Sequence, residues 1–184
     1  MKSVGFKEWS LVCDALGRGE QSIILRKGGI AEGREGFSFQ HREFFLFPTF
    51  FHEQSAKVRI ASASLSEARD IITIRWYAKA EHALRIDSLR IAEGLAPLHI
   101  LTPEVVRERF GYKDEGLHVA FLRVFELSPS WIVQNEKRFA GCRSWVDLPS
   151  PPEMKMRPVV DGAAHQQLRS QFDRLTGNLL SLDS

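Results

Sequence analysis

Five short runs of this 184-residue chain carry side chains fit for chemistry. Arg26-Lys27-Gly28-Gly29 closes an apolar run with two cations and paired glycines, a turn able to offer backbone N–H groups and positive charge to a phosphate. His41-Arg42-Glu43 leads into Phe44–Phe47, and His52-Glu53 follow shortly after. Neighbours on an extended chain point to opposite faces, so His41 and Glu43 share a side and Arg42 takes the other. With His52 and Glu53 they supply the imidazoles and carboxylates of an acid–base pair or a metal site. Arg75-Trp76 and Arg143-Ser144-Trp145 each set a guanidinium near an indole, the combination that stacks on a base and pairs with a phosphate, and Asp147 adds a carboxylate within reach of Arg143. Each run also has a structural reading: a strand-end turn, a hydrogen-bonded polar cluster, or a packed Trp beside a salt-bridged Arg.

Other chemistries lack their residues. No Gly-x-Gly-x-x-Gly and no phosphate-binding loop ending in Gly-Lys-Ser/Thr is present, so nucleotide cofactors have no support. His-x-x-x-His and Cys-x-x-Cys spacings are absent too, and neither a metal nor a cofactor is expected. A magnesium nuclease built on Asp70 would need a Glu-x-Lys strand that the chain does not offer. Cys142 has no local signature of a nucleophile and reads as a small hydrophobe.

The composition bounds the setting. With 43% hydrophobic residues the chain can bury one full core, and a net charge of +2 requires any nucleic-acid contact to use a local patch. Thirteen Phe against two Tyr mark most rings as core filler. Cys13 and Cys142 match no paired spacing, and the start Met1-Lys-Ser-Val is no leader, so a reduced, cytoplasmic protein without a membrane span is expected.

The elements that position these groups follow from spacing. Phe6, Trp9, Val12, Cys13 and Leu16 fit one face of an opening helix. Gln21–Arg26, Phe37–Phe47, Val58–Ala63, Ile71–Ala78 with Ala83–Ile86, Leu117–Leu127, Ser130–Val133 and Cys142–Leu148 read as strands, with Pro48 ending the second. Thr102-Pro103-Glu104 starts a helix that stops at Gly111. Prolines at 149, 151, 152 and 158 predict an irregular strap over residues 149–158. Leu168, Phe172, Leu175 and Leu179 then give a docking helix within 159–184, with Asp161 as its cap. The organisation expected is one α+β domain over 1–148, the strap, and that helix.

Taken in order, Leu25-Arg-Lys-Gly-Gly-Ile30, His41-Arg-Glu-Phe-Phe-Leu-Phe-Pro-Thr49 with His52, His99-Ile-Leu-Thr-Pro103, Leu122-Arg-Val-Phe125 and Gly141-Cys-Arg-Ser-Trp-Val-Asp147 resemble the bacterial family known as domain of unknown function 1802. The likeness spans about residues 5–149 and leaves the C-terminal helix outside. It implies a nucleic-acid or defence context, beside restriction-endonuclease-like domains, with no activity attached. The order of elements is also similar in style to small barrels of the pseudouridine-synthase-and-archaeosine-transglycosylase (PUA) type, a likeness of fold that assigns no residue.

The fold expected is therefore α+β, a bent mixed sheet or partly open PUA-like barrel with flanking helices. The first function expected is a nucleic-acid-binding or accessory module, its partner DNA or RNA, using Arg26, Lys27, Arg42, Arg75, Trp76, Arg143, Trp145 and Asp147. A small metal-dependent hydrolase or nuclease working through His41, Glu43, His52 and Glu53 is the alternative, and a protein-interaction subunit using the final helix is a third. One geometric expectation separates them: Arg26, Lys27, His41, Glu43 and His52 should line one pocket with Arg143, Trp145 and Asp147, where Arg143 can pair with Glu43 or Asp147.

Overall fold

The computed structural model describes residues 3–27, 38–50, 52–59 and 70–177. In chain order its elements are β1 (Val4–Trp9), α1 (Ser10–Gly17), β2 (Ile23–Arg26), β3 (Glu43–Thr49), β4 (Ile71–Ile86), α2 (Leu89–Gly94), α3 (Pro103–Gly111), β5 (Leu117–Gln134), β6 (Trp145–Asp147), β7 (Lys155–Pro158) and α4 (Gly162–Gly177). The strands make one seven-stranded sheet in the order β2-β5-β4-β3-β1-β6, with β7 on β5 beyond its pairing with β2. Among the described strands only β1 and β3 run parallel. The long β4–β5 pair shifts register between Ile74 and Trp76 and again between Ala80 and His82, and such irregularities bend a sheet. The curl brings its two ends together: Arg26 of β2 donates to the Ser144 hydroxyl beside β6 from Nη2 at 2.9 Å and from Nε at 3.1 Å. The result is a mixed, partly open barrel.

Strand β3 is buried on both faces. Phe44 and Leu46 of β3 join Phe6, Phe121 and the helices in one apolar cluster, while Phe45 and Phe47 join Ile74, Trp131, Phe139 and Val146 in a second. A strand covered on both sides reads as a continuous apolar run, which is what Phe44–Phe47 is. Helix α4 completes the first cluster. Asp161 caps it by accepting from the Ala164 amide at 2.8 Å, and Phe172, fully buried, lies 5.4 Å from the Phe121 ring.

Several local expectations change. Residues 4–9 are strand and only 10–17 are helix, because β1 pairs on both sides, with β3 and β6, and Trp9 keeps an extended backbone. Pairing on two edges outweighs a helical spacing that the same residues also satisfy. Gly17 ends α1 where the Trp76 indole packs so closely that a Cβ would stand 2.1 Å from the ring. Strand β3 starts at Glu43, after non-strand residues 38–42, and runs through Pro48; the expected start at Phe37 lies outside the described residues. Pro48 is tolerated because β4 pairs with β3 only as far as Phe45. Ser130–Val133 is the far end of β5 and not a separate strand. Val58 makes a single bridge to Leu101, and residues 60–63 of that expected strand lie outside the described residues. The strap is partly regular, since Lys155–Pro158 pairs with β5 and its only proline sits at the last position.

Candidate functional site

Where the sheet's two ends meet, a cavity of about 530 Å³ opens between β1, β2, α3 and the loop before β6. Lys7, Arg26, Lys27, Arg109 and Arg143 line it, with Trp9, Thr49, Glu108, Tyr112, Gly141 and Cys142. Each cation arrives by a different route. Lys7 sits on the face of β1 opposite Phe6, and its ammonium donates to the carbonyls of Gly141 at 2.6 Å and Phe139 at 2.8 Å, which fixes the loop that carries Cys142 and Arg143. Burial draws its pKa below the ordinary lysine value, the neighbouring Cys142 thiol acts upward, and Arg26 acts downward again.

Arg109 projects from α3, donates from Nη1 to the Leu25 carbonyl at 2.7 Å, and sets its guanidinium 4.5 Å from the centre of the Trp9 ring. Burial lowers its pKa, the Glu8 carboxylate opposes that, and Arg26 adds to it; an arginine still keeps its proton at neutral pH. Glu8 itself is buried, one oxygen accepting from the Trp9 amide at 2.8 Å. Lys27 is spent on structure. It donates to the carbonyls of Gly116 at 3.0 Å, Phe110 at 3.4 Å and Asp114, and pairs with the Asp114 carboxylate at 3.4 Å, so it clasps the C-terminal end of α3 where carbonyls gather. Asp114 is held below the usual carboxylate range chiefly by Lys27.

Donors remain for a ligand. Arg143 is exposed and makes no hydrogen bond or ion pair among the described residues, Arg26 and Arg109 bond through only part of their guanidinium groups, and Lys7 uses two of its three N–H bonds. Cations that converge on one concavity repel one another, and an anion relieves that repulsion. Tyr112, 44% exposed, offers a ring at the rim.

Of the residues that the sequence singles out, Arg26, Lys27 and Arg143 meet here, from opposite ends of the chain. Trp145 stands behind Arg143 and packs edge-on against Phe6, Phe44 and His41, its indole N–H buried without an acceptor among the described residues. Glu43 lies elsewhere, beside Phe45, Pro151 and Met154, where it accepts from the Tyr77 hydroxyl at 2.9 Å and pairs with Lys79 at 2.7 Å. Lys79 chiefly, and Tyr77 after it, hold its carboxyl below the ordinary value, while burial first and Glu43 second push the Tyr77 phenol up. Arg143 therefore pairs with neither Glu43 nor Asp147. Asp147 is exposed at the sheet edge opposite Val4, Arg42 and Arg75 are exposed away from the cavity, and Trp76 is packed on Gly17. His52 and Glu53 open a 3-10 turn, His52–Lys57, and their side chains lie outside the described residues, as do Gly28 and Gly29. Among the described residues no group of three or more His, Cys, Asp or Glu is placed to hold a metal. No described helix is long and apolar enough to cross a membrane. Lys7, Trp9, Arg109 and Tyr112 were not legible as site residues; strand alternation within β1, which puts Lys7 and Trp9 on one side, was the available signal.

A family profile described as "Domain of unknown function (DUF1802)" matches residues 5–171. The match runs through the strap and into α4, further than the motifs alone reach. No curated protein sequence matches the chain. Among solved structures, the ASCH protein of Zymomonas mobilis is similar at 12% identity, with 92% of this chain and 94% of that one covered and a TM-score of 0.48. Two single-residue mutants of it align over the same share of this chain, at 12% and 13% identity, over 95% and 98% of their own length, each with a TM-score of 0.46. Likeness this remote transfers no residue.

Proposed function

The chain belongs to the family of domain of unknown function 1802, and since that family brings no reaction with it, we propose from the cleft itself that the protein is a nucleic-acid-binding module. One observation carries the reading: Lys7, Arg26, Arg109 and Arg143 reach a single concavity with hydrogen-bond donors to spare, beside Trp9 and Tyr112. Guanidinium groups suit phosphate oxygens in paired fashion, and exposed aromatic rings take bases of any sequence. Contacts of this kind position a strand and read little of its sequence. The family resemblance implies a setting beside restriction-endonuclease-like domains, where such a strand would be at hand. Two free thiols, Cys13 buried and Cys142 exposed, suit a reducing cytoplasmic setting.

Fluorescence anisotropy with short single-stranded and duplex DNA and RNA tests this. Affinity should fall as salt rises, with the logarithms linearly related, and Arg143→Ala should lower that slope by about one. Binding that ignores salt, or none to any oligonucleotide, removes the reading.

A further inference from the structure

The charge count of the cleft bears on what part of a strand it takes. Five cations line the cleft with one carboxylate, that of Glu108; Lys27 is paired with Asp114 outside it, and the remaining cations leave the cleft with net positive charge. These cations do not form a stripe. They come from β1, β2, α3 and the loop before β6 and converge on about 530 Å³, whereas the exposed Arg42 and Arg75 stand apart from it. A backbone diester carries one negative charge and repeats along its strand, so a groove that follows it spreads its cations along a line. A terminal phosphomonoester approaches two negative charges above pH of about 6 and has three oxygens open to donors. The volume holds a phosphate and its sugar, with a base outside at the rim.

Resting on the nucleic-acid reading of this cleft, we propose that it binds the phosphorylated end of a strand, the phosphomonoester seated among Lys7, Arg26, Arg109 and Arg143 and the terminal base laid on Tyr112. Lys27 takes no part, being committed to the carbonyls at the end of α3. The expected preference is for the end group over the sequence.

The experiment compares one single-stranded oligonucleotide in four forms: 5′-phosphorylated, 3′-phosphorylated, with hydroxyls at both ends, and circularised. One phosphorylated form should bind at least about tenfold tighter than the hydroxyl-ended and circular forms, and the better of the two identifies the end. That advantage should shrink as pH falls through about 6, where the phosphate gains a proton. Arg143→Ala, an exposed site whose loss leaves the fold intact, should erase the advantage while keeping weak binding. Equal affinity for all four forms overturns the end-binding inference and leaves the nucleic-acid reading standing. No binding of any form removes both.

Discussion

Two polar groupings in this molecule look alike in sequence and differ in what they leave undone. Around Glu43 the bonds close on themselves: one carboxylate oxygen takes the Tyr77 hydroxyl and the other the Lys79 ammonium. In the basic cleft the bonds fix the cations in place and stop short of using them, so Arg143 and part of each neighbouring guanidinium still face the cavity. Polar side chains next to apolar strands therefore mark a site only where their hydrogen bonds are not mutual.

The sharpest break of this comparison is Arg109→Met. It removes the charged hydrogen bond to the Leu25 carbonyl and the guanidinium set over the Trp9 ring, a loss of about 2–3 kcal/mol. Urea unfolding would measure this; a loss no greater than that of an exposed arginine would show that the bond to Leu25 and the contact with Trp9 add nothing to the fold. The cleft's charge is felt next at His99. Burial, with Arg59 and Arg109 adding to it, lowers that imidazole to about 3, and its Nδ1 accepts from the Leu101 amide at 3.1 Å. The unfolded chain takes up the proton near pH 6.5 and the folded chain does not, so stability present above 6.5 is lost as pH falls toward about 3. About 2 kcal/mol should disappear between pH 6.5 and 5, and His99→Asn should remove that share of the slope.

Smaller effects sharpen the contrast. Arg143→Ala should weaken oligonucleotide binding about tenfold with unchanged thermal stability, since nothing in the fold leans on that side chain. Tyr77→Phe should do the reverse, costing about 1 kcal/mol of stability and leaving nucleic-acid affinity as it was. Glu43→Gln completes a double-mutant cycle with it; additivity of the two would show that the hydroxyl and the carboxylate act separately. Should Glu43→Gln impair binding instead, the division between a closed and an open grouping fails.

The parts of this that were legible in sequence are those governed by neighbours along the chain. The β-branched run from Ile71, the Thr102-Pro103 start of α3 and the stripe of α4 each announced themselves within about ten residues. Strand β1 did not, because its identity depends on β3 and β6, tens of residues away and more than a hundred. The site divides the same way. Arg26, Lys27 and Arg143 stood out by local composition, whereas Lys7 and Arg109 become relevant only once β1 pairs and α3 closes over β2. Trp76 beside Arg75 promised recognition, and the close approach to Gly17 that claims it is invisible without the fold.

The central strand carries one more consequence. Alternation of polar and apolar residues normally tells a strand which way to face, and a slip by one position is punished at once by water. Strand β3 has no such guide, since its four middle residues are apolar and each side receives an aromatic ring. Its alignment must be read at the ends. Glu43 meets Tyr77 and Lys79 at one end, and Thr49 at the other donates to the Glu8 carbonyl at 3.0 Å. These polar contacts work as registration marks on an otherwise unmarked ruler, one at the end where β4 pairs and one beside β1.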